Sequence, residues 1–184
     1  MLKVIKDKIK NKNGMVFIEF LVGFLVFIFI FSFFFDLFQI GSKKFVMTQQ
    51  ASQIVRQLAK QSGIQSQVPL NYPGGRGSYL TSSQLIKVTE DKFKKIGVKP
   101  EDWSIEIILR DKAQANGERV ISLSDTSNIK ADYRDSIGIR FTYSYNWGLW
   151  SQLVPGDFNK TTNVDKYAFC EYKHDYSNWK GEED

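Results

Sequence analysis

The sequence predicts an α+β fold in which one long N-terminal helix packs on an antiparallel sheet of about four strands. Residues 15–61 pass from an apolar run, broken only by Glu19, into an amphipathic pattern at helical spacing. Apolar residues alternate strictly with small or polar ones over residues 136–147, which is typical of a strand with one buried face. Further strand signals occupy residues 103–110, 118–124 and 164–173. Because one face of the sheet must be covered, the outer half of the helix is its natural partner.

The first 14 residues form a basic leader that ends at Gly14. Its charged residues are Lys3, Lys6, Lys8, Lys10, Lys12 and a single acid, Asp7. The leader therefore carries +4 of the chain's formal net charge of +5, and residues 15–184 are nearly neutral. This distribution indicates membrane topology, and we expect no direct nucleic-acid partner.

An apolar stretch follows the leader and is long enough to cross a bilayer. Residues 15–35 contain only one charged residue, Glu19, and as a helix they would span about 31 Å. The basic leader places the N-terminus in the cytoplasm and the bulk of the chain outside. An ordinary signal peptide is cut after its apolar core, whereas the only processing signal here, Gly14, precedes it. Asp36 is expected to be a solvated residue at the far boundary of the span.

Glu19 is a functional candidate because an acid at membrane depth is costly. Together with Gly14, Met15 and the apolar helix behind them, it resembles the signature of type IV prepilins. The resemblance implies that a prepilin peptidase cuts between Gly14 and Met15, that the new N-terminus at Met15 is methylated, and that the Glu19 carboxylate guides subunit assembly. The order of elements is most similar to minor pilins or pseudopilins of tight-adherence or related Gram-positive systems.

The same resemblance implies a set of partners and a pilin-like fold. The partners are the prepilin peptidase, other pilin subunits, the pilus assembly platform with its ATPase, and membrane lipid before assembly. It implies a cleaved leader at 1–14, a transmembrane and filament-core helix at 15–40, an amphipathic continuation at 41–62 and an extracytoplasmic α+β domain at 63–184.

The remainder of the chain supplies the elements of that outer domain. The long helix is expected to end near Gln61, with Gly63 as its stop signal. A Pro- and Gly-rich loop follows, and then a short helix capped by Ser82 or Ser83 that ends at Gly97. Asn116 and Gly117 give a turn signal between two strands.

The sequence contains no set of residues typical of an enzyme, a metal centre or a cofactor site, and we expect none of these. Cys170, the single cysteine, is expected to be a small buried or half-buried side chain in a strand, and His174, the single histidine, a surface residue. Trp147 and Trp150 either form an exposed surface for a partner or close the core of the sheet.

A second function class is open at this point. An uncleaved single-pass membrane protein that displays an extracytoplasmic binding or sensor domain would share the apolar helix and the outer domain. Such a protein would keep residues 1–14, whereas a processed prepilin would lose them.

Overall fold

The computed structural model describes residues 12–70, 72–73, 75–110 and 117–173. It has the α+β fold that the sequence predicts, with a long N-terminal helix and antiparallel strands. The described residues divide into two compact units, here called the helix unit (residues 12–41 and 146–159) and the sheet unit (residues 42–145 and 160–173). The predicted leader and domain boundaries remain predictions, because this division reflects contacts within the folded chain and not processing.

The first helix, α1 (Lys12–Gln61), contains 50 residues and no proline. Its part in the sheet unit carries a buried stripe at helical spacing, formed by Met47, Ala51, Ile54, Val55 and Leu58. The helix ends where Ser62 and Gly63 take φ values of 53° and 131°, which an α-helix does not contain. The predicted end near Gln61, with Gly63 as the stop signal, is confirmed.

The strands are β1 (Gly63–Ile64), β2 (Trp103–Arg110), β3 (Glu118–Ser122), β4 (Ile129–Lys130), β5 (Ser136–Asn146) and β6 (Asn159–Phe169). Four of them form the main sheet in the spatial order β3-β2-β5-β6. Strands β1 and β4 form a separate antiparallel pair. The sheet of about four strands is therefore confirmed, and the two-residue strands β1 and β4 were not predicted.

Register in the main sheet brings isoleucines of three strands together. Ile107 of β2 lies opposite Ile139 of β5 on one side and Ile121 of β3 on the other. Residues two apart on a strand share a face, so Ile105 and its partner Phe141 lie on the same side as the Ile107 row. These side chains join the buried stripe of α1 in one hydrophobic core.

Strand β6 differs from its prediction at both ends, since it was expected to cover residues 164–173. Its first residues, Asn159–Asn163, are polar and give no alternating signal to read. It ends at Phe169 because the backbone of Cys170 bonds a turn instead of a strand. The Cys170 N–H donates to the Asp135 carbonyl at 2.9 Å, and the Cys170 carbonyl accepts from the Arg134 N–H at 2.9 Å.

The short helix α2 (Ser82–Lys95) is capped by Thr81, so the prediction of Ser82 or Ser83 was wrong. The Thr81 hydroxyl accepts from the Gln84 N–H at 3.3 Å, and the Gln84 side chain accepts from the Thr81 N–H at 3.1 Å. This reciprocal capping box needs Gln three residues after the cap, which only Thr81 has. Ser82 is buried and donates to the Ser127 carbonyl at 2.9 Å.

The predicted end of α2 at Gly97 is confirmed. Gly97 has a φ of 70°, and its N–H donates to the Lys94 carbonyl at 3.1 Å while the Val98 N–H donates to the Phe93 carbonyl at 3.0 Å. This pair of bonds is the Schellman arrangement, in which a residue in the left-handed region closes the helix.

The other face of the sheet carries Ile108 and a group of charged side chains that Arg140 connects. Its guanidinium donates to both carboxylate oxygens of Asp165 in β6, at 3.0 and 2.9 Å. It also lies within 4 Å of Glu106 in β2 and Glu118 in β3. The hydrogen bond to Asp165 raises the pKa of Arg140, so this side chain remains a cation. One cation thus connects β5 with three strands.

The close approach of β1 to β4 makes Gly63 a sensitive position. A Cβ at Gly63 would collide with the Ile129 carbonyl, and φ there is positive. Gly97 also has positive φ but open space around it. We expect Gly63→Ala to lower the free energy of unfolding of the sheet unit by roughly 2 kcal/mol or more, and Gly97→Ala by about 1 kcal/mol.

Urea unfolding of the full chain in detergent micelles, followed by near-UV circular dichroism, measures both values. Gly97→Ala is the matched control, because it keeps the backbone strain and lacks the collision. Equal losses in the two variants would contradict the close packing of β1 on β4.

Candidate functional site

The N-terminal signature lies in the first turns of α1. Gly14 and Met15 are the third and fourth residues of the helix, and Glu19 lies about one turn beyond Met15. Residues four apart lie on the same helix face, so Met15 and Glu19 share one face. The helix runs through the Gly14–Met15 bond without a break.

Apolar side chains are exposed on nearly every face of α1 from Met15 to Phe38. The exposed fraction is 66% for Phe20 and 73% for Phe38. Within the described part of the chain, α1 is the one helix long and apolar enough to cross a membrane. Exposure of apolar surface to water costs about 25 cal/mol per Å², so this stretch needs a lipid or protein environment.

Glu19 is an exposed carboxylate within this apolar surface. Its neighbours Ile18 and Phe20 are also exposed, with 52% and 66% of their surface accessible. Among the described residues, no donor or cation forms a hydrogen bond or ion pair with Glu19. Its charge is therefore available to a group from outside them.

One stripe of the helix unit differs from the other faces because it is covered. It consists of Ser32, Phe33 and Asp36, with Phe29, which is 36% exposed, at its edge. These residues recur at spacings of three and four. Ser32 and Asp36 are only 5% and 3% exposed. Residues 147–154, here called the Trp segment, lie over this stripe.

The Asp36 carboxylate holds the Trp segment through its backbone. One carboxylate oxygen accepts from the Trp150 N–H at 2.7 Å and from the Leu149 N–H at 2.9 Å, and the other oxygen lies 3.2 Å from the Leu149 nitrogen. Trp150 is the first residue of the short helix α3 (Trp150–Leu153), and Leu149 is its N-cap residue. The Leu149 side chain has no oxygen that could cap the helix. Asp36 thus does the work of an N-cap from more than a hundred residues away in sequence.

Aromatic rings add a second set of contacts. The Trp147 ring stacks on Phe33 with centroids 5.3 Å apart and planes 23° apart. The Trp150 ring meets Phe29 and Phe33 edge to face, at 5.7 and 5.5 Å. Such aromatic pairs contribute about 0.5–1.5 kcal/mol each beyond the burial of their area.

These contacts correct the expectation for Asp36, which is buried and bonded rather than solvated. They also locate the two tryptophans, which lie half-buried on Phe29 and Phe33 and not in the core of the sheet. Their role as a partner surface remains a prediction. Asp36 could have been suspected from its spacing to Ser32 and Phe33, but its bonded partners follow β5 and have no local signal in the sequence.

Cys170 is buried in the core of the sheet unit, as expected. It directly follows β6, so the expectation that it lies in a strand was wrong. Burial, helped by the charges of Asp135 and Asp132, raises the pKa of its thiol to about 11. The thiol is therefore protonated near neutral pH and is a poor nucleophile. It lines a cavity of about 660 Å³ together with Arg110, Tyr133, Arg134, Ser136, Phe169 and Glu171.

His174 was predicted to be a surface residue and Asn116 to be part of a turn. Both lie outside the described residues, so these remain predictions. Among the described residues, no group of three or more His, Cys, Asp or Glu side chains is placed to hold a metal ion.

Comparisons with protein-family models, with curated proteins and with solved structures found no match to this chain. The resemblance to type IV prepilins therefore depends on Gly14, Met15, Glu19 and the apolar helix.

Replacement of Asp36 tests how the Trp segment is held. In Asp36→Ala the N–H groups of Leu149 and Trp150 lose their acceptor, which should weaken attachment by about 1–3 kcal/mol. We expect acrylamide to quench the fluorescence of Trp147 and Trp150 more strongly than in the parent protein. Asp36→Asn keeps one carbonyl acceptor and should give a smaller increase.

The measurement uses the full chain in detergent micelles, with Trp103 and Trp179 changed to Phe so that two tryptophans report. Asp125→Ala removes an exposed carboxylate and is the matched control. Quenching in Asp36→Ala that equals the control would show that this carboxylate does not hold the segment.

Proposed function

We propose that the chain is a type IV prepilin-like subunit, a minor pilin or pseudopilin, that is cut by a prepilin peptidase between Gly14 and Met15. Before assembly it is anchored in the cytoplasmic membrane, with its N-terminus in the cytoplasm and the sheet unit outside. It then enters a surface filament or its tip complex. Its role is mechanical and adhesive, not enzymatic. The observation that carries the proposal is the exposed Glu19 carboxylate, which lies four residues after Met15 on a helix surface that is otherwise largely apolar and has no partner among the described residues.

Cleavage gives that carboxylate a partner. Hydrolysis after Gly14 creates an ammonium group at Met15, and methylation of that amine would keep its charge. An ammonium and a carboxylate about 4 Å apart attract by roughly 4 kcal/mol at an effective dielectric of 20. In an apolar setting an unpaired charge is strongly disfavoured, so Met15 of one subunit and Glu19 of another would fix a definite stagger between helices.

The apolar surface of α1 supports assembly after release from lipid. Contacts with other pilin subunits would replace contacts with acyl chains, since both environments are apolar. An assembly platform with its ATPase supplies the work of extraction. The stripe already covered by the Trp segment leaves fewer free faces on the helix, which favours a minor or tip position over the shaft.

The second candidate is an uncleaved single-pass membrane protein with an extracytoplasmic binding or sensor domain. It is favoured by the course of α1, which passes through the Gly14–Met15 bond as regular helix. A peptidase would have to open this turn before cutting.

Gly14→Ala tests the processing site. The added methyl group at the residue before the cut should block cleavage, so the membrane fraction should contain a form longer by the 14 leader residues. Intact-mass measurement distinguishes the two forms. Gly41→Ala, in the same helix with open space for a Cβ, is the matched control and should be processed normally. Retention of the leader in both the parent protein and the control would favour the uncleaved membrane protein.

Glu19→Gln tests the assembly carboxylate, because it keeps the size of the side chain and removes its charge. We expect normal processing but at least about a tenfold loss of incorporation into sheared filaments, equivalent to about 1.4 kcal/mol. Quantitative mass spectrometry of the sheared and membrane fractions gives this ratio. Glu90→Gln, an exposed acid on α2, is the control. Undiminished incorporation of Glu19→Gln would remove the carboxylate from the assembly mechanism.

A further inference from the structure

We propose that the Trp segment lies in the membrane–water interface at the outer surface of the bilayer, with its exposed leucines against the upper acyl chains of the lipid. This inference depends on the membrane anchoring in the proposed function, which both candidate functions share. It assigns residues 147–154 a lipid contact that the apolar helix alone would not predict.

The depth of the covered stripe is the first argument. Counted along α1 from Met15, Phe29 lies about 21 Å and Phe33 about 27 Å from the start of the apolar stretch. The hydrocarbon core of a bilayer is about 30 Å thick, so Phe33 would lie in its outermost part and Phe29 deeper within the outer leaflet. Asp36 follows at about 32 Å, at the level of the headgroups.

Hydrogen bonds from five of the eight backbone N–H groups in the Trp segment are the second argument. A chain segment enters a region of low polarity only if its N–H groups are bonded, since each unbonded group costs several kcal/mol in lipid. Asp36 accepts from the N–H groups of Leu149 and Trp150. The next donors are bonded within the segment, by Ser151 to the Trp147 carbonyl at 2.9 Å, Gln152 to Leu149 at 3.2 Å and Val154 to Trp150 at 3.0 Å.

The side chains of the segment fit the same location. Residues 147–156 contain no charged side chain. Leu149 and Leu153, four residues apart, are each 40% exposed, and Trp147 and Trp150 are half-buried. Tryptophan is enriched at membrane interfaces because its ring is largely apolar while its indole N–H remains a hydrogen-bond donor.

A second copy of the chain is the competing occupant of this surface. It would cover the same leucines in a filament, where neighbouring helices replace lipid. The depth of the stripe and the hydrogen-bonded backbone favour lipid as the occupant in the membrane-anchored form, because the helix is then surrounded by bilayer.

Depth-dependent fluorescence quenching tests the inference. The full chain with Trp103→Phe and Trp179→Phe is reconstituted into vesicles of phosphatidylcholine and phosphatidylglycerol that carry bromine either near the headgroup or near the end of the acyl chains. Trp147 and Trp150 are then the only reporters. We expect blue-shifted emission and roughly twofold stronger quenching by the shallow bromine than by the deep bromine.

A matched control keeps Trp103 alone, with the other three tryptophans changed to Phe. Its ring is enclosed by Phe93 and Phe141, with centroids 4.9 and 6.2 Å away, and bromine should quench it weakly. A further variant, Leu149→Gln with Leu153→Gln, should shift the Trp147 and Trp150 emission to the red, because the segment then loses its apolar contact with lipid.

Flotation of the vesicles separates this inference from the proposed function. Protein that does not float with lipid is not anchored, which overturns both. Protein that floats but shows no quenching of Trp147 and Trp150, or stronger quenching by the deep bromine, overturns the interfacial location alone. If bromine does not quench Trp147 and Trp150 but their emission changes with the protein-to-lipid ratio, the surface contacts a second copy of the chain. That result also overturns the interfacial location.

Discussion

The apolar surface of α1 between Met15 and Phe38 must be kept away from water, and the rest of the helix unit is arranged around that constraint. Very few side chains in this stretch are buried within the chain itself, so lipid or other subunits have to complete it. Where the chain does cover the helix, it does so at one stripe and near one end. The sheet unit differs because its part of α1 is apolar on one face only. That face packs against β2 and β5 within the chain.

A buried carboxylate in such a setting needs strong partners, and Asp36 obtains them from the backbone. N–H groups at the start of a helix are suited to this, since they have no partners within the helix. Glu19 is the contrasting case, an acid on the same helix without a partner among the described residues. The two carboxylates therefore differ in kind: Asp36 is part of the folded chain, whereas Glu19 requires a group from elsewhere.

The sequence predicted those features that depend on local periodicity. The alternation ending at Trp147 gave β5, and Gly63 and Gly97 marked helix ends because their positive φ suits glycine. Prediction failed where the deciding contact was distant in sequence or where the residues carried no apolar pattern. Asp36 was predicted to be solvated because its partners lie more than a hundred residues away in the sequence. Strand β6 was predicted to begin at residue 164 and not at Asn159, because its first five residues are polar.

The Trp segment also bears on how the helix can rotate about its own axis. A cylinder that is apolar all round presents nearly equivalent faces, so turning it in lipid or in a bundle changes little in energy. Because Ser32, Phe33 and Asp36 are covered on one side, the faces are no longer equivalent, and the helix has one preferred rotation about its axis. Glu19 then points in a fixed direction relative to the covered side, and a neighbouring amine can approach it only from the directions that remain open.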